Sequence, residues 1–289
     1  MTTAFEDLVA RVEAGERLST DELAALAQTP DILQLGMLAD VLRRRLRGTT
    51  VTYARVARCA YDKSFADAVA PAAREVRITG TPSTLDSALA AVTSARAIAG
   101  DRAVTGFSWP DVEQLGAGAA KKLHEAGLES IALPLDRLTD VAASVERAVE
   151  AGFRHLRLTI DKAGADARTP LLLQAGQLQD RFSAIQAINP LPMVLNAMRP
   201  TTGYDDVKSV AIARLAAPNV PVVQVDWLRY GPKLAQVALT FGADDLDEVT
   251  ASDDAPDGKR RAPLEEVRRN IESAGFTPAE RDGRFALVG

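Results

Sequence analysis

The sequence predicts an α/β protein folded as a (β/α) barrel, with a helical cap before the barrel and a short extension after it. Strand-like and helix-like patterns alternate from about residue 50 onward, as expected for parallel strands joined by right-handed crossovers. Seven strands are predicted, with an eighth near 247–250, which suits a closed barrel of the TIM type. The chain also lacks GxGxxG, GxxxxGKS and GxxxxGKT, and an open doubly wound sheet would favour such a glycine-rich loop.

The cap is predicted over residues 1–48 and contains three helices. Apolar residues recur at helical spacing from Phe5 to Val12, which indicates the first helix. Residues 19–22, STDE, form a capping box at the start of the second helix. Asp31 is expected to cap the third helix, which ends near Gly48.

The barrel is predicted over residues 49–250. Its strands are expected at residues 51–57, 75–79, 103–107, 130–133, 154–160, 192–196 and 222–227. Helices are expected between them, at residues 64–73, 84–99, 110–126, 138–151, 169–187 and 205–216.

The best-defined unit of the barrel lies at residues 222–242. Gln224 and Asp226 alternate with valines, which is the period-two pattern of a strand with one polar face. Pro232 can open the following helix, and Gly242 lies where that helix should end. This strand is therefore expected to line a polar site.

The extension is predicted over residues 251–289, packed on the barrel. Residues 252–261 are polar and are expected to form a loop. A helix with proline at its first position is expected at 263–274, followed by an extended tail at 277–288. Asp282-Gly283 is a candidate hairpin turn within this tail.

Composition excludes several classes of partner. The net charge of -5 and the pI of about 5.3 provide no general attraction to nucleic acid or to an anionic membrane. No apolar span of 18 residues occurs, and the first residues lack the apolar core of a signal peptide. We therefore expect a cytoplasmic protein that binds neither nucleic acid nor membranes.

Cysteine and histidine are too few for the common metal centres. Cys59 is the single cysteine, so the chain can form neither an internal disulfide nor a cysteine-rich zinc or iron–sulfur site. His124 and His155 are the only histidines, which disfavours a histidine-rich centre. We expect no metal and no cofactor, although a magnesium site made of carboxylates alone remains open.

Polar side chains on the lumen faces of the strands are the main candidates for a site, because barrels place their sites at the C-terminal ends of the strands. Strand alternation directs one set inward: Arg55, Arg77, His155, Arg157, Gln224 and Asp226. With only Asp226 and Glu75 as inward carboxylates, the three arginines would leave positive charge unpaired. A small anionic ligand, bound through bidentate arginine contacts, would compensate that charge. His155 or Asp226 is the candidate acid or base.

Structural alternatives exist for all of these residues. The arginines can equally form internal ion pairs between strands, and a register error of one residue would turn the whole set outward. His155 can be a hydrogen-bonded core histidine. Residues at the strand ends are further ligand-binding candidates, although turn chemistry also accounts for such positions: Thr79, Gly80, Ser108, Asn196 and Arg199.

Several segments of the chain carry a family resemblance. They are GERLSTDELAAL, LGMLADVLRRRLRG, LHEAGLES, RPTTGYDDVKSVAIARL, NVPVVQVDWLRYGPKLAQVALTFGADDLD and APLEEVRRNIESAGFTP. The chain resembles aminofutalosine synthase, dehypoxanthine futalosine cyclase and the related deazaflavin synthase subunits, which are radical S-adenosylmethionine (SAM) enzymes. The first two belong to the futalosine route to menaquinone. The resemblance spans nearly the whole chain and implies a radical SAM barrel with an N-terminal helical cap.

The chain departs from this group at the cluster motif. Members carry CxxxCxxC after the first strand, where this chain reads RVARCAYDKSF with Cys59 alone. One thiolate cannot hold a four-iron cluster at three irons, so we expect neither the cluster nor radical initiation. The glycine motif that binds SAM is reduced to residues 79–81, TGT. The case for SAM binding is therefore weak, since the cluster supplies much of its anchorage in the group.

Two functions are compatible with this sequence. In the first, the protein is an enzyme that performs non-radical acid–base chemistry on an anionic aromatic or nucleoside-type intermediate of the menaquinone pathway, held by Arg55, Arg77 and Arg157. In the second, it is a non-catalytic partner that binds or stabilises an active radical SAM paralogue. An intact polar lumen would favour the first function, whereas a collapsed lumen beside a large exposed apolar patch would favour the second.

Overall fold

Three helices precede the barrel in the computed structural model, which describes residues 3–65, 69–194, 198, 201–251 and 263–288. They are α1 (Thr3–Ala14), α2 (Thr20–Gln28) and α3 (Ile32–Arg47). The predicted capping box is confirmed, because the Glu22 amide donates to the Ser19 hydroxyl and the Ser19 amide donates to the Glu22 carboxylate. Asp31 caps α3 by accepting from the Gln34 amide at 3.0 Å.

Eight parallel strands form the barrel. They are β1 (Thr50–Ala60), β2 (Glu75–Thr79), β3 (Ala103–Ser108), β4 (Ser130–Pro134), β5 (Leu156–Ile160), β6 (Ile185–Pro192), β7 (Val222–Asp226) and β8 (Asp245–Thr250). Each strand is bonded to the next, and β1 pairs with both β2 and β8. The sheet is therefore closed, and the predicted (β/α) barrel is confirmed.

One strand was predicted too late in the sequence. The pattern favoured a helix to residue 187 and a strand at 192–196, but β6 begins at Ile185. Ser183 ends the preceding helix in a left-handed conformation with φ of 51°, and the buried residues that follow it belong to the sheet.

The helices between the strands form the outer layer. They are α4 (Leu85–Ala99), α5 (Trp109–Glu113), α6 (Ala119–Glu125), α7 (Val141–Glu150), α8 (Ala165–Leu173), α9 (Ala175–Phe182), α10 (Gly203–Ala216) and α11 (Trp227–Leu239). Two helices that were predicted as continuous are divided, one between α5 and α6 and one between α8 and α9. The helix predicted at 64–73 is absent from the described residues of that segment, which form turns and irregular structure.

The N-terminal helices lie on the outer layer of the barrel. Helix α3 packs against α1 and α10, and α2 packs against α10 and α8. Gly36 of α3 allows the Phe241 ring to approach closely, since a Cβ at residue 36 would lie 2.7 Å from that ring. Among the described residues, none from these three helices lines the cavity that we describe below.

The C-terminal segment closes the barrel at the N-terminal ends of its strands. Helix α12 (Pro263–Ser273) leads into β9 (Thr277–Glu280), which pairs in parallel with β1 at Thr50–Tyr53. Arg281 then enters the floor of the barrel, where its guanidinium bonds Asp245 at 2.6 and 2.7 Å. The predicted hairpin is confirmed by an antiparallel bridge between Arg281 and Leu287.

In the part of the chain that the structure describes, every helix is too short or too polar to span a bilayer.

Candidate active site

A cavity of about 320 Å³ opens at the C-terminal ends of the barrel strands. All eight strands contribute side chains to its lining. One wall, along β3 and β4, is apolar and includes Phe107, Ala132 and Pro134. Ionisable and amide side chains from β7 and β8 form part of the polar lining: Gln224, Asp226, Asp247 and Glu248. The predicted polar lumen therefore exists, and it is open.

A bulge in β8 turns two consecutive carboxylates into the lumen. The register between β1 and β8 shifts at this point, and Glu248 has a left-handed φ of 56°. In a regular strand Asp247 and Glu248 would face opposite sides of the sheet, whereas a bulge redirects one of them. Both carboxylates consequently reach the guanidinium of Arg77, at 2.8 and 3.1 Å.

A second bulge, in β3, shapes the apolar wall. The register with β4 shifts between Thr105 and Ser108, and Phe107 has a left-handed φ of 54°. Gly106 lies against the backbone of Ile78, and a Cβ at residue 106 would come within 2.3 Å of the Ile78 carbonyl oxygen. Only glycine allows this approach, which presents Phe107 to the cavity. Backbone outliers of this kind are frequent at functional sites.

A network of ion pairs forms the floor of the cavity. Arg77 donates to Glu75 at 2.7 Å and to Asp247 at 2.8 Å, and Arg157 donates to Glu75 at 2.5 Å. Burial alone would raise the pKa of Glu75, but the guanidinium groups of Arg157 and Arg77 outweigh burial and hold that pKa at about 2. The two floor arginines are thus already paired with carboxylates of this chain.

Arg281 supplies a third cation to this network from the C-terminal tail. Besides its fork on Asp245, it lies 3.4 Å from Asp247 and 3.8 Å from Glu75. Burial opposes the charge of Asp247, but Arg77, Arg157 and Arg281 together hold its pKa well below the usual range. The positive and negative charges of the floor therefore pair with one another, and no ligand is needed to neutralise them.

Asp226 differs from the carboxylates of the floor. It ends β7 and caps α11, accepting from the amide of Arg229 at 2.8 Å and from its guanidinium at 3.1 Å. Burial raises its pKa to about 6, and repulsion from Glu248 adds to the effect. A carboxyl that lines a cavity and titrates near neutral pH can both donate and accept a proton there.

Three arginines lie at the rim of the cavity, each beside one carboxylate. Arg137 donates to Asp111 at 2.9 Å, and Arg229 pairs with Asp226. Arg58 is the least engaged of the three, because its Nε lies 3.7 Å from Glu248 and its side chain is 44% exposed. That distance is too long for a hydrogen bond.

Most of the predicted site residues line this cavity together. They are Arg77, Thr79, Gly80, Ser108, Arg157, Gln224 and Asp226. Gln224 donates to Asp245 at 2.8 Å, and Ser108 donates to Asp111 at 2.5 Å. Asn196 and Arg199 lie outside the described residues.

The predicted lumen positions of Arg55 and His155 are wrong. Arg55 lies on the outer side of β1, where it donates to Glu280 of β9 at 2.6 Å. Arg58, three residues later, faces inward instead. His155 precedes β5 at its N-terminal end and does not line the cavity. For Arg55 the inward and outward faces of the strand were assigned with an error of one residue. For His155 the alternation could not show whether the residue lies at the N-terminal or the C-terminal end of the strand.

Several contributors to the site were missed in the sequence, and four of them carry charge at the floor or beside it. They are Arg58, Asp247, Glu248 and Arg281. The acidic run DDLDE at 244–248, which begins just before β8, was a signal for two of them. Arg281 had no local signal, because its place in the barrel depends on pairing between β9 and β1.

Cys59 does not fit the cluster chemistry of the related enzymes. It follows Arg58 on β1, is 1% exposed and belongs to the apolar core outside the lumen. Burial raises the pKa of its thiol, whereas iron–sulfur ligands are thiolates. With one cysteine in the chain, the donor set cannot hold a four-iron cluster in the CxxxCxxC manner.

Comparisons with known proteins agree with the resemblance in the sequence. Residues 188–288 match the family described as the CofH/MqnC C-terminal region. The chain is 34% identical over 130 residues to 5-amino-6-(D-ribitylamino)uracil–L-tyrosine 4-hydroxyphenyl transferase of Archaeoglobus fulgidus. It is 32% identical over 142 residues to aminodeoxyfutalosine synthase and 26% identical over 193 residues to cyclic dehypoxanthine futalosine synthase, both of Streptomyces coelicolor.

These matches are partial in length. They cover 40%, 42% and 56% of this chain, and 38%, 37% and 47% of the three relatives. The chain therefore matches less than half the length of each of these relatives.

Solved structures share the fold along nearly the whole chain. The [FeFe]-hydrogenase maturase HydG superposes with a TM-score of 0.66 at 14% identity, covering 96% of this chain and 76% of HydG. Methylornithine synthase (PylB) superposes with a TM-score of 0.67 at 14% identity, covering 94% of this chain and 97% of PylB. The predicted (β/α) barrel is thus also found in solved structures.

Proposed function

Because this chain is a relative of the radical SAM group that contains aminofutalosine synthase, futalosine cyclase and the deazaflavin-type transferases, we propose that its cavity binds a small anionic molecule with an aromatic or nucleoside-type part. We further propose that it acts on this molecule by acid–base chemistry. The futalosine route to menaquinone is the proposed source of the substrate.

One observation carries the proposal of acid–base chemistry. Asp226 lines an open cavity at the C-terminal end of its strand, and burial raises its pKa to about 6. Glu248, which has a strained backbone, lies in the same wall, and repulsion from its carboxylate adds to that rise in pKa. Conformational strain and a displaced pKa are both costs to stability that active sites commonly carry. Asp226 replaces His155 as the candidate acid and base.

The anionic part of the ligand is assigned to the rim and not to the floor. Arg77 and Arg157 pair with Glu75 and Asp247. Of their nitrogens, Nε of Arg157 lacks a hydrogen-bond partner among the described residues, so the two side chains position other groups and have little remaining capacity for an anion. Arg58 is half-exposed, lines the cavity and lies beyond hydrogen-bonding distance of Glu248. A carboxylate or phosphate oxygen can therefore bind Arg58 without breaking a hydrogen bond of the protein.

The apolar wall supports a planar part in the ligand. Phe107, Ala132 and Pro134 line the side of the cavity formed by β3 and β4. An aromatic ring or a nucleobase buried against this wall would contribute binding energy through apolar area. The opposite side, near Asp226, is where its reactive group would lie.

We propose no step that passes through an iron–sulfur cluster, because the donor set of this chain does not fit one. Among the described residues, no group of three His, Cys, Asp or Glu side chains is placed to hold a metal ion. What the chain itself supplies is a titratable carboxyl, a cation at the rim and an apolar wall.

Thermal shift with matched ligands tests this proposal. The panel consists of aromatic carboxylates, their neutral amides, nucleosides and SAM. A ligand at a hundred times its dissociation constant stabilises the folded state by about 2.7 kcal/mol. We expect the acids to raise the melting temperature and the amides to have little effect, since an amide keeps the ring but loses the charge.

Two variants show where the anion binds. Arg58→Met should reduce the stabilisation by acids to about 1.4 kcal/mol at the same ligand concentration, because about tenfold weaker binding removes about half of it. Arg154→Met is the control, because Arg154 is exposed at the opposite end of β5 and donates to the Val149 carbonyl. If no acid or nucleoside stabilises the protein, and a radical SAM paralogue co-purifies with it, the enzyme proposal fails and a partner role replaces it.

A further inference from the structure

Glu248 carries a carboxylate oxygen that accepts no hydrogen bond. Its Oε1 accepts from Arg77 at 3.1 Å. Its Oε2 is buried and has no hydrogen-bond partner within the described part of the chain. A buried acceptor without a donor is costly, and native structures keep few of them. Glu248 lines the cavity, so a ligand can supply the missing donor.

Arg58 lies directly beside this oxygen. Its Nε is 3.7 Å from Oε2 of Glu248, close enough for an ion pair and too far for a hydrogen bond. Its side chain is 44% exposed, against 5% for Glu248, so Arg58 has room to move while Glu248 is fixed by Arg77. The pair therefore presents an acceptor and a donor side by side in the wall of the cavity.

We propose that Glu248 and Arg58 form a two-point clamp for a carboxylate that bears a hydroxyl group on the adjacent carbon. The ligand hydroxyl donates to Oε2 of Glu248, and the ligand carboxylate accepts from the guanidinium of Arg58. The two ligand groups are neighbours, as the two protein groups are. This inference rests on the proposed function and narrows its substrate class from anionic aromatic molecules to 2-hydroxy acids.

Glu248 is the selective half of the clamp. A carboxylate without the hydroxyl would satisfy Arg58 but would leave Oε2 without a donor. A hydroxy amide would satisfy Oε2 but would lose the charge that Arg58 binds. Of these three kinds of ligand, only the hydroxy acid satisfies both groups, so its affinity should depend on the hydroxyl and the carboxylate together.

Three probes separate these contributions: 3-phenyllactate, 3-phenylpropanoate and 3-phenyllactamide. All three carry the same ring for the apolar wall. By calorimetry we expect phenyllactate to bind the wild-type protein at least about tenfold more tightly than phenylpropanoate, as one hydrogen bond to a charged group allows. We expect phenyllactamide to bind more weakly than phenyllactate by a similar factor.

Glu248→Gln tests the hydroxyl contact. The glutamine oxygen can still accept from Arg77, but an NH₂ group then replaces Oε2 and can only donate. The preference for phenyllactate over phenylpropanoate should disappear, while phenylpropanoate still binds. Arg58→Met, which changes a half-exposed side chain and should not prevent folding, is the second variant. It should weaken both acids about tenfold and leave phenyllactamide unchanged.

Glu129→Gln is the matched control, because Glu129 pairs with Arg96 and Arg284 away from the cavity. It should leave all three affinities unchanged. If phenylpropanoate binds as tightly as phenyllactate, or if Glu248→Gln keeps the preference, the clamp is refuted and the proposed function stands. If neither acid binds the wild-type protein, both proposals are refuted.

Discussion

Replacing Asp226 by asparagine should stabilise the folded protein at neutral pH. Asparagine is also a good N-cap and should preserve the bond from the Arg229 amide, which Asp226 accepts at 2.8 Å. What the substitution removes is a buried charge. Burial, followed by repulsion from Glu248, raises the pKa of this carboxyl from 3.8 to about 6. The folded state therefore binds this proton more tightly than the unfolded chain does.

The sign and size of the effect follow from this difference in pKa. Below about pH 4 the carboxyl is protonated in both states and costs nothing. As the pH rises towards about 6, the unfolded chain loses the proton first, so the folded state loses relative stability. At about 1.4 kcal/mol per pKa unit, the full cost is roughly 3 kcal/mol above about pH 7. Asp226→Asn should recover most of that free energy.

Urea unfolding of the wild type and the variant, between about pH 4 and about pH 8, measures this quantity. The difference in the free energy of unfolding should be near zero at the acid end and should grow through the window. Asp140→Asn is the control, because Asp140 is an exposed N-cap of α7, so the same substitution there removes no buried charge. A difference for Asp226→Asn that stays constant with pH would refute the reasoning, as would a loss of stability at neutral pH.

Three further predictions concern the floor, the core and iron. Arg281→Met should cost about 3–5 kcal/mol in urea melts, because it leaves Asp245 buried without its cation, whereas Arg284→Met, on the same tail, should cost less than about 1 kcal/mol. Leu239→Ala should lower the free energy of unfolding by about 2–5 kcal/mol, since Leu239 is fully buried. An equal loss in Val237→Ala, at an exposed position of the same helix, would contradict the packing of α11. Anaerobic reconstitution should leave no stoichiometric iron and sulfide on the protein, and a four-iron spectrum that disappears in Cys59→Ser would overturn this expectation.

The sequence predicted the barrel well because repetition supports that inference. Alternating patterns over eight units constrain the topology even when one boundary is wrong, as at β6. Local features with a chemical signature were also predicted, such as the capping box at Ser19 and the polar face of Gln224 and Asp226. These features depend on residues close in sequence, so no knowledge of the tertiary structure was needed.

The lumen was predicted less well because it depends on strand phase. Alternation assigns a face to each residue only if the strand is regular, and the bulge in β8 brings both Asp247 and Glu248 inward. On β1 the phase was misjudged, so Arg55 was chosen instead of Arg58. The inference that the lumen carries unpaired positive charge was also wrong, because the carboxylates of β8 that pair with Arg77 were not counted.

In helix α11, too, the sequence pattern does not show which face of the element is buried. Residues 234, 237, 238 and 241 are apolar and recur at helical spacing, which would give them one buried face. In the structure Val237 is 46% exposed and Leu234 is only partly buried. Gly231 interrupts the helix with φ of 72°, which changes the direction of the residues that follow. Ala235, Ala238 and Leu239 are buried instead. A sequence pattern shows that a segment is helical. Which of its side chains face the core depends on the direction in which the helix begins.

The pairing of β9 with β1 has a consequence for how the protein is made. Residues 50–53 emerge early from the ribosome, but their partners at 277–280 are more than two hundred positions later. At about 5–20 residues per second, synthesis separates the two strands by roughly ten to fifty seconds. During that interval one edge of β1 lacks its native partners, and such edges promote association between chains. Contacts of such long range also slow folding, so we expect the nascent chain to depend on chaperones more than a protein whose terminal segments fold independently.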